Sequence, residues 1–237
     1  MGRDLTIPPV YPPRVIALGI GGLAVLVGVL VVLMYARLGP RVGLVAAALV
    51  GAQLAVQWRV AEAGTLHRWH DLPPPLAPLV LAGLLTAVLG SRGALGRRFL
   101  STIPLAAIVG LQAFRLPLEI FMHQAAVAGI MPNQMSYSGF NFDILTGASA
   151  VVVSLLVAMN RCPRVVLLAW NAAGTLLLLT IMTIGISSTP TFAAFGPDRL
   201  NTFIADPPFV WLPGILVPCA AWGHLLVWRS LWMTRVK

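Results

Sequence analysis

Residues 112–124 read QAFRLPLEIFMHQ, and they lie late in an apolar stretch that starts near Phe99 and runs to about Ala128. Arg115, Glu119 and His123 fall at i, i+4 and i+8, with Gln112 three positions earlier. At 3.6 residues per turn these four side chains share one helix face. Ionisable groups at bilayer depth are costly, so such a face implies partners or a ligand. Pro117 lies within it and cannot donate a backbone hydrogen bond to the carbonyl of Ala113, which predicts a kink and a freed carbonyl there.

Outward from this stretch the chain is apolar almost throughout. Of 237 residues, 58% are hydrophobic and 10% are charged, against roughly 25% charged in soluble domains. Repeated apolar runs of about 20 residues predict a single integral membrane domain, an all-α polytopic helix bundle. Seven spans are expected, near 15–35, 42–62, 78–95, 99–128, 142–160, 165–186 and 208–228. The first is too long for a signal-peptide core and has no small-residue cleavage site, so it counts as structure. In the second, Ala47, Gly51 and Ala55 form a small-residue ladder that allows close helix approach.

The formal charge of +9 comes from basic residues scattered singly between spans, which marks membrane orientation and not a nucleic-acid surface. Ten of the 16 basic residues fall in one set of connections and four in the other; Arg59 and Arg115 lie within spans. The positive-inside rule then predicts the N-terminus outside and the C-terminus inside, as a multi-pass protein of a bacterial inner membrane. The N-terminal MGRDLTIPPVYPPR is expected to be irregular. The residues 187–207, with three prolines, are expected to hold a short interfacial helix able to act as a lid.

With that orientation, the Arg–Glu–His face rises from the outer half of the bilayer to its outer interface. Arg59 and Glu62 of the second span, the loop pair His67 and His70 with Asp71, and Asn141 and Asp143 at the head of the fifth span are expected near the same level. A pocket reached from the extracytoplasmic side follows, with Arg115, Glu119, His123, Gln112, Asn141, Asp143, Arg59 and Glu62 as candidate ligand-binding residues. Arg115 would take a carboxylate or phosphate, unless it simply neutralises Glu119 as a structural pair. Asp143 also suits a cap on the fifth helix. His67, His70 and Asp71 are a candidate metal set, with no fixed ligand spacing behind them. Asn171 and His224 read as interhelical hydrogen-bonding groups of the inner half. Cys162 and Cys219 form no motif, and the only lysine is the terminal Lys237, which excludes a retinal-type Schiff base within the bundle.

The phrases FRLPLE, MPNQMSYSGFNFDILTG, WNAAGTLLLLTIMTIG and FVWLPGILVP, across residues 112–227, resemble an uncharacterised family of bacterial multi-pass integral membrane proteins. The resemblance implies a family pattern at Arg115, Glu119, Asn141, Asp143 and Asn171, and carries no activity and no cofactor. Three functions compete: binding or transport of a small polar or anionic solute; a membrane-embedded enzyme, metal-dependent if the histidine loop binds an ion; and an accessory subunit of a membrane complex. There is no HExxH or GxSxG motif.

Overall fold

The computed structural model describes residues 14–233, and within them every regular element is helical. The proline-rich N-terminal segment, with Arg3 and Asp4, and the terminal Arg235 and Lys237 lie outside the described residues.

The helices are α1 (Arg14–Ala36), α2 (Pro40–Glu62), α3 (Leu76–Ser91), α4 (Gly93–Thr102), α5 (Leu105–Leu111), α6 (Arg115–Val127), α7 (Ile144–Ala158), α8 (Arg164–Ser187) and α9 (Val217–Met233). Four helical stretches are long and apolar enough to cross a membrane: α1, α2, α5 with α6, and α8. The bent pair α3–α4 makes a fifth if it is taken as one span.

α1 shows the physical pattern. Ile16, Ile20, Ala24, Val27 and Val31 are buried along one face, while Leu18, Leu26, Val29 and Leu33 are exposed. A helix that is apolar on both its packed and its open face is suited to hydrocarbon surroundings. α9 is the hub: α3, α5 and α8 all pack on it, whereas α6 packs between α1 and α7.

The stretch expected as one span from Phe99 to Ala128 is two separate pieces. Pro104 forces the preceding Ile103 into an extended conformation (φ −99°, ψ 126°), and α4 ends there. α4 instead continues from α3 across a 66° bend at Arg92–Gly93, where Gly93 adopts φ +60°. The membrane-length piece therefore begins at Leu105. Within it the helix tightens to a 3₁₀ turn at Gln112–Phe114, just before Pro117, in the turn whose carbonyl the proline cannot satisfy.

A second irregularity opens the last helix. Leu212–Leu216 is a π turn containing Pro213, and the carbonyl of Gly214 accepts from Gln57 Nε2 of α2 (3.2 Å). A Cβ at Gly214 would lie 2.3 Å from Gln57 Oε1, so the glycine makes room for that bond.

At the end of the bundle where α3 and α9 terminate, arginines hold carbonyls at helix ends. Arg98 donates to Leu38 (2.5 Å), Arg229 to Ser91 (2.7 Å) and Gly93 (2.8 Å), and Arg164 to Leu231 (2.6 Å). The core falls into two apolar clusters, one around Ile20, Leu118, Phe203 and Phe209, the other around Phe99, Ile108, Trp222 and Leu226. The residues 187–207 hold only short 3₁₀ turns, and Phe203, Ile204 and Ala205 are buried in the first cluster.

Candidate functional site

Where the two apolar clusters meet, a layer of polar side chains crosses the bundle. Arg115 begins α6 and is 1% exposed. Its Nε donates to Asp143 Oδ2 (2.6 Å), and its Nη2 forms an ion pair with the same oxygen. Its Nη1 contacts His224 Nε2 (2.9 Å). A guanidinium has no acceptor, so His224 accepts at Nε2 and carries its proton on Nδ1. That Nδ1–H donates to Asn171 Oδ1 (2.8 Å), and Asn171 Nδ2 returns a bond to the His224 carbonyl (3.3 Å).

Close helix approach makes this possible. A Cβ at Gly147 of α7 would lie 2.3 Å from the backbone nitrogen of Leu116, so α6 and α7 touch there through their backbones. A Cβ at Gly174 would lie 2.6 Å from His224 Cε1, and one at Gly223 would lie 2.0 Å from Gln112 Nε2. Gly174 and Gly223 each face a large polar side chain, which would otherwise have no space inside the bundle.

Glu119, one helical turn beyond Arg115, is 2% exposed and forms no ion pair among the described residues. Its Oε2 accepts from Asn141 Nδ2 (2.8 Å). The same Nδ2 also reaches the Met135 carbonyl (3.1 Å), while Asn141 Oδ1 accepts from the Asp143 backbone N–H (3.1 Å). Asn141 thus aligns the head of α7 and presents the Glu119 carboxylate. The i, i+4 pair expected between Arg115 and Glu119 is replaced by Arg115–Asp143, and Asp143 makes no side-chain cap on α7.

Arg115, Glu119 and Asp143 all line a cavity of about 630 Å³. The rest of its wall is almost wholly apolar, from α3 (Ala77, Val80, Leu84), α6 (Leu118, Met122), α8 (Leu178, Ile181, Met182) and α9 with its π turn (Leu216, Ala220). One charged wall on an apolar chamber of this size fits the usual form of a small-molecule site.

The other sequence-predicted residues stand elsewhere. Gln112 is fully buried but lies against α9, donating to the Ala220 carbonyl (3.4 Å), and does not line the cavity. His123 stacks on Tyr137 (4.3 Å) and bonds Ser138 Oγ (3.2 Å), away from Glu119 despite the shared spacing. Arg59 and Glu62 pair with one another on exposed α2 (3.3 Å). The expected metal set does not assemble: His67 Nε2 bonds Asp206 Oδ1 (2.8 Å), Asp71 pairs with Arg68 (3.3 Å), and His70 is exposed. Among the described residues no three His, Cys, Asp or Glu side chains come together as a metal site. The Asp206 carboxylate raises the His67 pKa above its ordinary value of 6.5.

His224 and Asn171 are the residues whose place the sequence reading missed, since it set them in the inner half, below Arg115. A signal for His224 is Gly174, where a Cβ would lie 2.6 Å from the His224 ring. Compared with known proteins, the chain matches no family model, no curated protein and no solved structure.

Proposed function

We propose that this is a seven-span membrane protein, N-terminus outside and C-terminus inside, that binds or transports a small molecule in the cavity walled by Arg115, Glu119 and Asp143. The orientation rests on the basic residues, ten of which fall in one set of connections. In this reading the seven spans would be α1, α2, α3, α5 with α6, α7, α8, and the π turn with α9, with α4 and its Arg97 and Arg98 in the connection after α3.

The observation that carries the reading is Glu119. A carboxyl group 2% exposed, held by one amide and lining a largely apolar chamber beside Arg115 and Asp143, is an expensive arrangement for packing alone. Arg115 is committed to Asp143 and His224, so it acts less as an open anion receptor than as the clamp that keeps the wall in place. The polar end of the ligand meets Glu119, and the remainder lies on apolar side chains. This narrows the sequence expectation of a small polar or anionic solute towards a molecule with a large apolar part.

Native mass spectrometry of the protein released from its own membranes tests this reading. The parent should carry a non-covalent small molecule that Gly185→Leu loses. A Cβ at Gly185 meets only ordinary contacts (3.6 Å to Met135), so the longer side chain narrows the cavity without breaking the fold. Equal adducts in both proteins, or none in either, would remove the pocket reading.

A further inference from the structure

Resting on that pocket reading, we infer that the ligand is a single-chain amphiphile with a protonated amine head, and that it reaches the cavity sideways, from the bilayer, between α3 and α8. Two features fix the route. α3 and α8 each pack along α9 but share at most marginal contact with one another, which leaves a trough between them with α9 residues in its floor. Lining residues on the two edges of this trough, Leu81 on α3 and Ile186 on α8, are 64% and 52% exposed. Exposed apolar edges on a membrane-embedded trough face lipid, not water.

Two side-chain ties cross the loop end. Thr191 Oγ1 donates to the Trp69 carbonyl (2.8 Å), and His67 bonds Asp206 (2.8 Å). These bonds join the α2–α3 connection to the long α8–α9 connection over the cavity, whose upper lining includes Trp69 and Thr191. Leu72 and Phe192, which also line the cavity from these two connections, are 88% and 64% exposed, so the ties narrow this end without sealing it.

Charge selects the head. Arg115, Asp143 and Glu119 are the cavity's ionisable lining groups among the described residues. Arg115 spends its direct bonds on Asp143 and His224, and the hydrogen bond that Glu119 accepts comes from a neutral amide. A buried carboxyl group without a directly bonded cation is stabilised in its charged form by an opposite charge with N–H donors, which an ammonium head supplies in one group. A phosphate or carboxylate head would add a second negative charge to the same wall. The chain of the amphiphile then follows Leu118, Met122, Leu178 and Ile181 towards the trough.

The test uses the full protein in nanodiscs of synthetic phosphatidylcholine, with hexadecylamine, hexadecanol and palmitate at equal membrane fraction. Hexadecylamine should raise the unfolding temperature of the parent and bind at least tenfold more tightly than the other two. Glu119→Gln, checked for native helicity, should abolish that preference, and Gly185→Leu should weaken hexadecylamine binding. The double variant Leu81→Trp/Ile186→Trp, which narrows the trough, should slow hexadecylamine association about tenfold. Equal binding of the three amphiphiles, or a preference for palmitate, would overturn the amine head while leaving the pocket standing if Gly185→Leu still blocks it. Unchanged association in the tryptophan variant would overturn the lateral route. No binding by any of the three, with a co-purified molecule still present in the parent, would overturn this inference and spare the pocket reading.

Discussion

Two sets of charged side chains can be compared, one inside the bundle and one at its loop end. Arg115–Asp143 and Arg59–Glu62 are both arginine–carboxylate pairs, yet the side-chain exposures are 1% and 5% for the first and 82% and 55% for the second. Around the first, His224, Asn171 and Asn141 complete a hydrogen-bonded layer; around the second there is open surface. In the sequence all four residues stood alike as candidate ligand-binding groups. Burial separates them, because removing one partner of a buried pair leaves an unpaired charge in low dielectric, whereas an exposed pair is replaced by water.

The largest expected effect comes from breaking the buried pair. Arg115→Leu or Asp143→Leu alone should cost about 3–5 kcal/mol of stability, read as a large drop in unfolding temperature. The double variant should recover most of that loss, since it removes both charges together. If either single variant is as stable as the double, the pair is not the fixed point of the layer.

Next comes His224→Phe, which keeps an aromatic ring but removes the acceptor for Arg115 and the donor to Asn171. About 1–3 kcal/mol should be lost, as for other buried groups left without partners. Asn171→Leu combined with it should add little, because the two residues serve one network.

At the loop end the expected effects are smaller. The His67–Asp206 tie has a raised histidine pKa, so its stabilisation is fully present below the unfolded value of 6.5 and is lost as pH rises through the folded value. The unfolding temperature of the parent, relative to His67→Asn, should therefore shrink on going from acid to alkaline pH. A constant difference would show that the tie does not titrate. Arg59→Ala should be smallest of all, within roughly 1 kcal/mol and diminished by salt.

The same comparison explains what the sequence disclosed. Composition and apolar run length were sufficient for an all-helical chain with several helices able to cross a membrane, because those properties depend on local hydrophobicity. The site was legible in its membership: Arg115, Glu119, Asn141 and Asp143 do converge. Its pairing was not. Spacing along one helix pointed Arg115 at Glu119, but the backbone contact at Gly147 brings Asp143 nearer, and that contact joins residues far apart in the chain. Depth counted along straight spans separated His224 from Arg115, while the π turn before α9 and the 3₁₀ turn before α6 break the assumption of regular rods. His123 obeyed the helical spacing and still left the site, because Tyr137 and Ser138 of the next connection engage it.

The central claim is that Glu119 presents its carboxylate to a ligand inside the bundle. An experimentally determined map of the protein in a lipid nanodisc, prepared without removal of co-purified molecules, tests it most directly. The account predicts one elongated density filling the cavity, with its polar end within hydrogen-bond distance of Glu119 and its far end towards the trough between α3 and α8. A cavity collapsed onto its own side chains, with Glu119 bonded only to Asn141, would contradict it.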